Sequence, residues 1–354
     1  MSDQDVTKLY RNALAYDFHM LNGNADDFEF HNTQDYVDLY LMKAQIKLLL
    51  SDPTAIHDLR QAKALSKSPQ MPFLFSEWKP NSPNSFIVFD RNPGSVQSFL
   101  KTLSPCGELL REWYGEQGYH TAMQIKSEIL YFMGKPNEAA ALSEGLFQQT
   151  EAHDLYHVLT GYTLLRCYLA MGKIHAAETV ILEIIRYAKK SGLPHCMEMY
   201  HTIREWLNLT TGWSGDSPRY QKTTTGDILP VLNDRITAIR RGISSPSTTE
   251  EPFIAYARRC HQASYTMREL YMDIFGAMEA FRNGVPEQAR ENFLKAYRIA
   301  KPNDLLMPFA EYGGQIHGLT EYMTKQDDGI DPVWTNRMLE LSRQYEKNLS
   351  AYRS

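Results

Sequence analysis

Along most of this chain apolar residues return every three or four positions, the spacing that puts them on one face of an α-helix. The pattern and its stops predict helices over about 4–21, 34–50, 53–66, 95–113, 118–133, 136–150, 153–171, 174–190, 195–210, 226–241, 252–283 with one break, 286–300, 303–323 and 332–352. A short strand is expected only at Ser85 to Phe89. Residues 67–94 carry Pro69, Pro72, Pro80, Pro83 and Pro93 among Phe73, Phe75, Trp78, Phe86 and Phe89. Prolines forbid a long helix there, and so many aromatics need cover, so this irregular segment should pack onto the helices. The stretches 211–226 and 242–252, rich in Gly, Ser and Thr, read as exposed loops.

The helices carry repeated punctuation. Around Gly284, Ala277 and Ala280 stand at −7 and −4, and Ala289, Phe293, Ala296 and Pro302 at +5, +9, +12 and +18. These offsets suit a tetratricopeptide-like pair of antiparallel helices. Ala277 and Ala289 fall where the two axes come closest, Gly284 ends the first helix in the left-handed conformation, and Pro286 starts the second. Gly134 repeats the pattern with Ser127, Leu130, Pro136 and Ala139; Gly172 repeats it with Leu165, Tyr168, Ala177 and Ile181. Ser51 and Pro53, with Ala44 at −7, mark a weaker copy, and the 112 residues between Gly172 and Gly284 leave room for about three degenerate units. The expected fold is all-α, a superhelical solenoid of antiparallel helix pairs in one helical-repeat domain over residues 1–354.

In such an array the first helix of each pair lines the inner wall. The candidates are Gln124, Glu128 and Tyr131 in one unit, Tyr162 and Arg166 in the next, and Tyr271, Ile274 and Met278 in a third. Tyr131, Tyr271 and Met278 serve equally well as repeat core. Gln124 and Tyr162 each stand 10 before their glycine, Glu128 and Arg166 each 6 before. Equal offsets set side chains next to one another along the wall, so Glu128 and Arg166 are expected to pair or to hold a polar ligand together. If they line an open groove, Arg166→Ala and Tyr162→Ala should weaken an effector while leaving the melting temperature nearly unchanged.

Composition fits a folded chain, 43% apolar and 22% charged, with no run approaching the ~20 apolar residues of a membrane helix. The acidic amino terminus lacks the basic and apolar regions of a secretory signal, so a cytoplasmic location and no membrane are expected. The four cysteines, Cys106, Cys167, Cys196 and Cys260, form no compact framework and read as buried reduced thiols. With 37 Lys and Arg against 42 Asp and Glu, a net charge of −5, the chain is not expected to engage DNA by itself.

Catalytic signatures are missing: no P-loop, no G-x-S-x-G and no G-x-G-x-x-G occurs. His153 and His157 sit at i and i+4, as zinc ligands do, but Asp154 stands where a metalloprotease has its general-base Glu. His195, Cys196 and His201 have ligand-type side chains without a recognised spacing, and Arg235, Arg240, Arg241, Arg258 and Arg259 read as solvated charge. No catalytic residue, metal or cofactor is therefore expected.

Two further stretches carry a resemblance. FLKAYRIAKPNDLLMPFAEYGGQIHGLTEYM, with Phe309, Glu311 and Gly313 ahead of the helix Leu319 to Met323, and SFIVFDRNPGSVQSFLKTL, with its turn Arg91 to Gly94, resemble the helical-repeat sensor region of LuxR-class, MalT-like bacterial transcription regulators. The resemblance implies a non-catalytic signal-sensing domain whose partner is a small-molecule, peptide or protein effector. It also implies that DNA is reached only through a helix-turn-helix module that this sequence lacks. A free-standing tetratricopeptide adaptor for a protein or peptide partner is the alternative, and a metal hydrolase using His153 and His157 a distant third.

Overall fold

A computed structural model describes residues 33–65, 73, 82–91, 96–149, 154–211, 265–325 and 329–353. Helix takes in 86% of them and no strand occurs among them, so the described part of the chain is all-α. The described helices are α1 Thr33–Leu49, α2 Ala55–Leu65, α3 Ser85–Phe89, α4 Val96–Phe132, α5 Pro136–Gln149, α6 Asp154–Ala170, α7 Ile174–Ser191, α8 Pro194–Thr211, α9 Thr266–Arg282, α10 Pro286–Asn303, α11 Met307–Ala310, α12 Gly313–Thr324 and α13 Pro332–Arg353. None is long and apolar enough to cross a membrane. The helices expected at 4–21 and 226–241, His153, the five arginines from Arg235 to Arg259 and Cys260 lie outside the described residues. Cys106, Cys167 and Cys196 are buried and in no disulfide.

The expected punctuation is visible in the backbone. Gly134, Gly172 and Gly284 take φ of 75°, 71° and 73°. At each, the glycine N–H and the next N–H turn back on the preceding helix: Lys135 donates to Leu130, Lys173 to Tyr168 and Val285 to Ala280, at 2.9–3.0 Å. This is the bonding of a Schellman cap, which satisfies carbonyls that a helix end otherwise leaves unpaired. The weaker copy follows suit, since Ser51 has φ 62° and Asp52 N–H donates to Lys47. Ala277 and Ala289 are fully enclosed, as the closest approach of α9 and α10 requires. Ala277→Leu and Ala289→Leu should each lower stability by about 1 to 3 kcal/mol through overpacking. Thermal melts check this, and wild-type midpoints for both would show that the register is wrong.

The chain gathers into two compact units, Met1–Trp78 with Ser95–Met123, and Lys79–Gly94 with Gln124–Ser354. In the first unit α1 and α2 pair across the Ser51 turn, with Lys47 2.7 Å from Asp58, and Lys63 bonds Glu112 of α4. Gly115 (φ 63°, ψ −154°) breaks α4 into two arms, close to the expected break between 113 and 118. The arms fold back so closely that a side chain on Gly118 would strike the Leu110 carbonyl at 2.6 Å.

In the second unit the pairs α6 with α7 and α9 with α10 pack side by side, and α5 packs on α6. The segment after α10 departs from the single helix expected over 303–323. Asp304, at φ 56°, ends α10 and is held by both guanidinium nitrogens of Arg337 at 2.8 and 2.9 Å. Leu306 N–H then caps the Phe132 carbonyl, and Asn348 Nδ2 of α13 caps the Ala170 carbonyl. Both carbonyls stand two before a turn glycine, so the C-terminal segment closes off equivalent ends of two helices.

The strand expected at Ser85 to Phe89 is a single helical turn, α3. A short run of aromatic and β-branched residues favours a strand only where a neighbour offers ladder bonds, and here the amides have other partners. Asn84 caps Ile87 N–H at 2.8 Å, and the carboxylate of Glu128 accepts Ser85 N–H at 3.2 Å and Phe86 N–H at 2.7 Å.

Candidate functional site

All five residues expected on a groove lie in the second unit, and none is on an open surface. Gln124, Glu128, Tyr131, Tyr162 and Arg166 are 1%, 0%, 1%, 1% and 2% exposed. The chain itself covers them. The turn between α11 and α12 brings Glu311, α13 brings Tyr345, and α3 lays its first two amides on Glu128. Helices α4 and α6 meet at these positions. Gln124 Nε2 donates to Thr163 Oγ1 at 3.1 Å, and the Arg166 guanidinium lies 4.6 Å from the Tyr131 ring centre. Tyr271, Ile274 and Met278 are likewise buried.

The expected pair of Glu128 and Arg166 is not made. Arg166 bonds Glu311 Oε1 through Nη2 at 2.6 Å and through Nε at 3.1 Å. Tyr131 Oη donates to the same oxygen, and Tyr271 Oη makes a longer bond, 3.5 Å, to Oε2. Glu128 is already engaged by Ser85, Phe86 and Gln124 Nε2, the last at 3.0 Å. Around the guanidinium stand the rings of Tyr131, Phe132, Tyr162 and Trp206, with centres 4.6 to 5.6 Å away. A planar cation suits such a box, because it stacks on rings while its edge bonds a carboxylate.

The electrostatics follow from the enclosure. Burial depresses the Arg166 pKa, but the facing Glu311, together with Tyr162, Tyr131 and Tyr271, raises it by more, so the guanidinium stays charged. Burial first, and Glu311 second, push the phenols of Tyr131, Tyr271 and Tyr345 well above their ordinary value. They stay protonated, which suits Tyr131 and Tyr271 as donors to Glu311. Among the described protein groups, Arg166 Nη1, Gln124 Oε1 and Tyr345 Oη find no hydrogen-bond partner.

Glu128 differs from its neighbours. Burial raises its pKa from 4.5 to about 7, against the opposing pull of the Phe86 amide, Gln124, the Ser85 amide and Arg166. The fold therefore gains stability from a neutral Glu128: the gain is full below about 4.5 and is lost as pH rises through about 7. Between pH 5 and pH 8 wild type should lose about 2 to 3 kcal/mol more stability than Glu128→Gln. Urea unfolding at the two pH values checks this; parallel losses in the two proteins contradict it.

No side chain here has the pairing of a nucleophile with a base. The Glu311 carboxylate is neutralised and Arg166 is spent on it. His157 is stacked on Phe147 at 4.1 Å and lies 4.8 Å from the Tyr187 ring, a packing role. Among the described residues no group of three or more His, Cys, Asp and Glu gathers as a metal site. From sequence, Glu311 is a landmark of the C-terminal segment and not the partner of Arg166. Its signal was an acid inside the apolar run Leu305 to Tyr312, where a charge needs a buried counter-ion. Trp206 and Tyr345 carry no comparable mark, since aromatics at helical spacing read as core.

The sequence matches no protein-family model, and it matches no curated protein.

Proposed function

We propose that this chain is the non-catalytic sensing and interaction domain of a LuxR-class, MalT-like transcription regulator, its helix pairs stacked as a tetratricopeptide-like solenoid. The observation that carries the reading is the recurrence of one capped turn, with the same φ and the same bonds, at Gly134, Gly172 and Gly284. Stacked identical units are the way such domains build a long recognition surface. The placement of the resemblance residues supports it further. Phe309 is fully buried, Glu311 neutralises Arg166, and Gly313 has no room for a Cβ against Ser342. Three landmarks of the segment are thus three packing requirements of one corner.

On this reading the effector, a small molecule, peptide or protein, reaches Gln124, Glu128, Tyr131, Tyr162 and Arg166 only as the Glu311 turn and α13 give way. Sensing is then a competition between the effector and the chain's own cover. The test is promoter occupancy by the protein tagged at its own locus. A regulator occupies a discrete set of promoters above an untagged control. Occupancy no higher than the control overturns the reading, and a stable protein complex recovered with the same tag would then favour the adaptor.

A further inference from the structure

The segment of residues 82–91 crosses the second unit as a strap tied at two ends. At one end Glu128 of α4 holds the Ser85 and Phe86 amides. At the other, Asp90 accepts Thr266 N–H at 2.9 Å through its carbonyl, and Arg91 Nη2 donates to Tyr265 Oη at 2.8 Å. The Tyr265 ring lies between the guanidinium groups of Arg91 and Arg268, 4.3 and 4.2 Å away. The second tie is made by a backbone bond and by the contacts of Tyr265 with two arginines. The first hangs on one carboxylate.

Beside that carboxylate lies an atom whose role the static bonds leave open. Gln124 donates its Nε2 to both Glu128 Oε1 and Thr163 Oγ1, while its Oε1, buried with it, accepts from no group among the described residues. Half a turn of the carboxamide exchanges the two atoms. Oε1 then accepts from a carboxylic acid at position 128 and from the Thr163 hydroxyl, whose single proton, now on the Leu159 carbonyl at 3.3 Å, must rotate to it.

We propose that Glu128 and Gln124 form a proton-operated clasp on the strap: the carboxylate grips the Ser85 and Phe86 amides, and proton uptake, with the Gln124 carboxamide turned over, releases Ser85. The proton comes from solvent and stays on Oε1, where it donates to Gln124 Oε1. The longer Ser85 bond, 3.2 Å, made to that oxygen, is given up, while Phe86 N–H keeps Oε2.

The ionisable groups on the elements around the clasp are few. Residues Ser85–Phe89 of α3 hold no acid or base. Asp90 ends α3, fully buried. On the α6 side stands Arg166, whose charge favours the carboxylate and is shared with Glu311 behind it. On α4 the next ionisable side chain inward is Tyr131, held protonated. Helix α9, which packs on α3, brings Arg268 and Tyr271. Burial of Glu128 sets its titration at about 7, so the clasp changes state within the physiological range. The inference does not depend on the chain being a regulator.

Hydrogen exchange read at single amides tests it on the full chain at pH 8 and pH 6, each rate divided by the intrinsic rate at that pH. In wild type the protection of Ser85 should fall about tenfold on going to pH 6, the loss of one bond to a charged acceptor. In Glu128→Gln it should not change. Exchange through global unfolding would move the other way, because acidification stabilises the whole fold. Constant protection of Ser85 in wild type, or an equal fall in Glu128→Gln, overturns the proposal. Should Glu128→Gln not fold, infrared difference spectra of wild type between the two pH values serve instead. A buried carboxylic C=O band growing in step with Ser85 exchange supports the clasp, and no such band overturns it.

Discussion

Arg166→Ala is expected to destabilise the second unit by about 3 to 5 kcal/mol, enough to remove much of the stability of an ordinary domain. The cost comes from what the substitution leaves behind. Glu311, 6% exposed, would be left with only the Tyr131 and Tyr271 phenols as donors. The box of Tyr131, Phe132, Tyr162 and Trp206 would also lose the group it encloses. Glu311→Ala should cost a similar amount, since it strands the guanidinium in the same box. Chemical denaturation measures both. An unchanged unfolding midpoint for Arg166→Ala, the result expected of a residue on an open groove, would contradict the enclosed geometry.

The second large effect is at a turn. Gly134→Val should cost on the order of 3 kcal/mol, and Gly284→Val about half as much. Both glycines have nearly the same positive φ, 75° and 73°, which a β-branched residue adopts only with strain. Their surroundings differ. A Cβ at Gly134 would meet Leu341 at 2.8 Å and Leu306 at 3.3 Å, whereas at Gly284 nothing lies within 4 Å. The difference between the two melting shifts isolates the packing of α13 and Leu306 on the first turn. Equal shifts would mean that α13 does not sit there.

These two sites show where the sequence was informative. Local rules were legible: a glycine that ends a helix needs only its own neighbours, and so Gly134, Gly172 and Gly284 could be read with their small-residue offsets. Even Ser51, with no glycine to mark it, turned as its position in the pattern required. The offsets placed these stretches of α4 and α6 next to each other, but not the pair of Glu128 with Arg166. What lay over them was not legible. Cover is a long-range property, decided here by Glu311, 145 positions from Arg166, and by Tyr345. The short strand expected at Ser85 failed for the same reason. Its amides are claimed by a carboxylate 42 and 43 positions away, and no local preference of SFIVF contains that fact.

Arg166 and Glu311 form one enclosed unit that ties the segment after α11 to α6. A double-mutant cycle on unfolding, with Arg166→Met, Glu311→Leu and both together, tests it most directly. If the claim holds, each single change is strongly destabilising and the double is far less so than their sum, with a coupling of at least about 2 kcal/mol. Additive losses, with coupling under about 0.5 kcal/mol, would mean that the two side chains do not meet, and the account of the buried centre would fail with them.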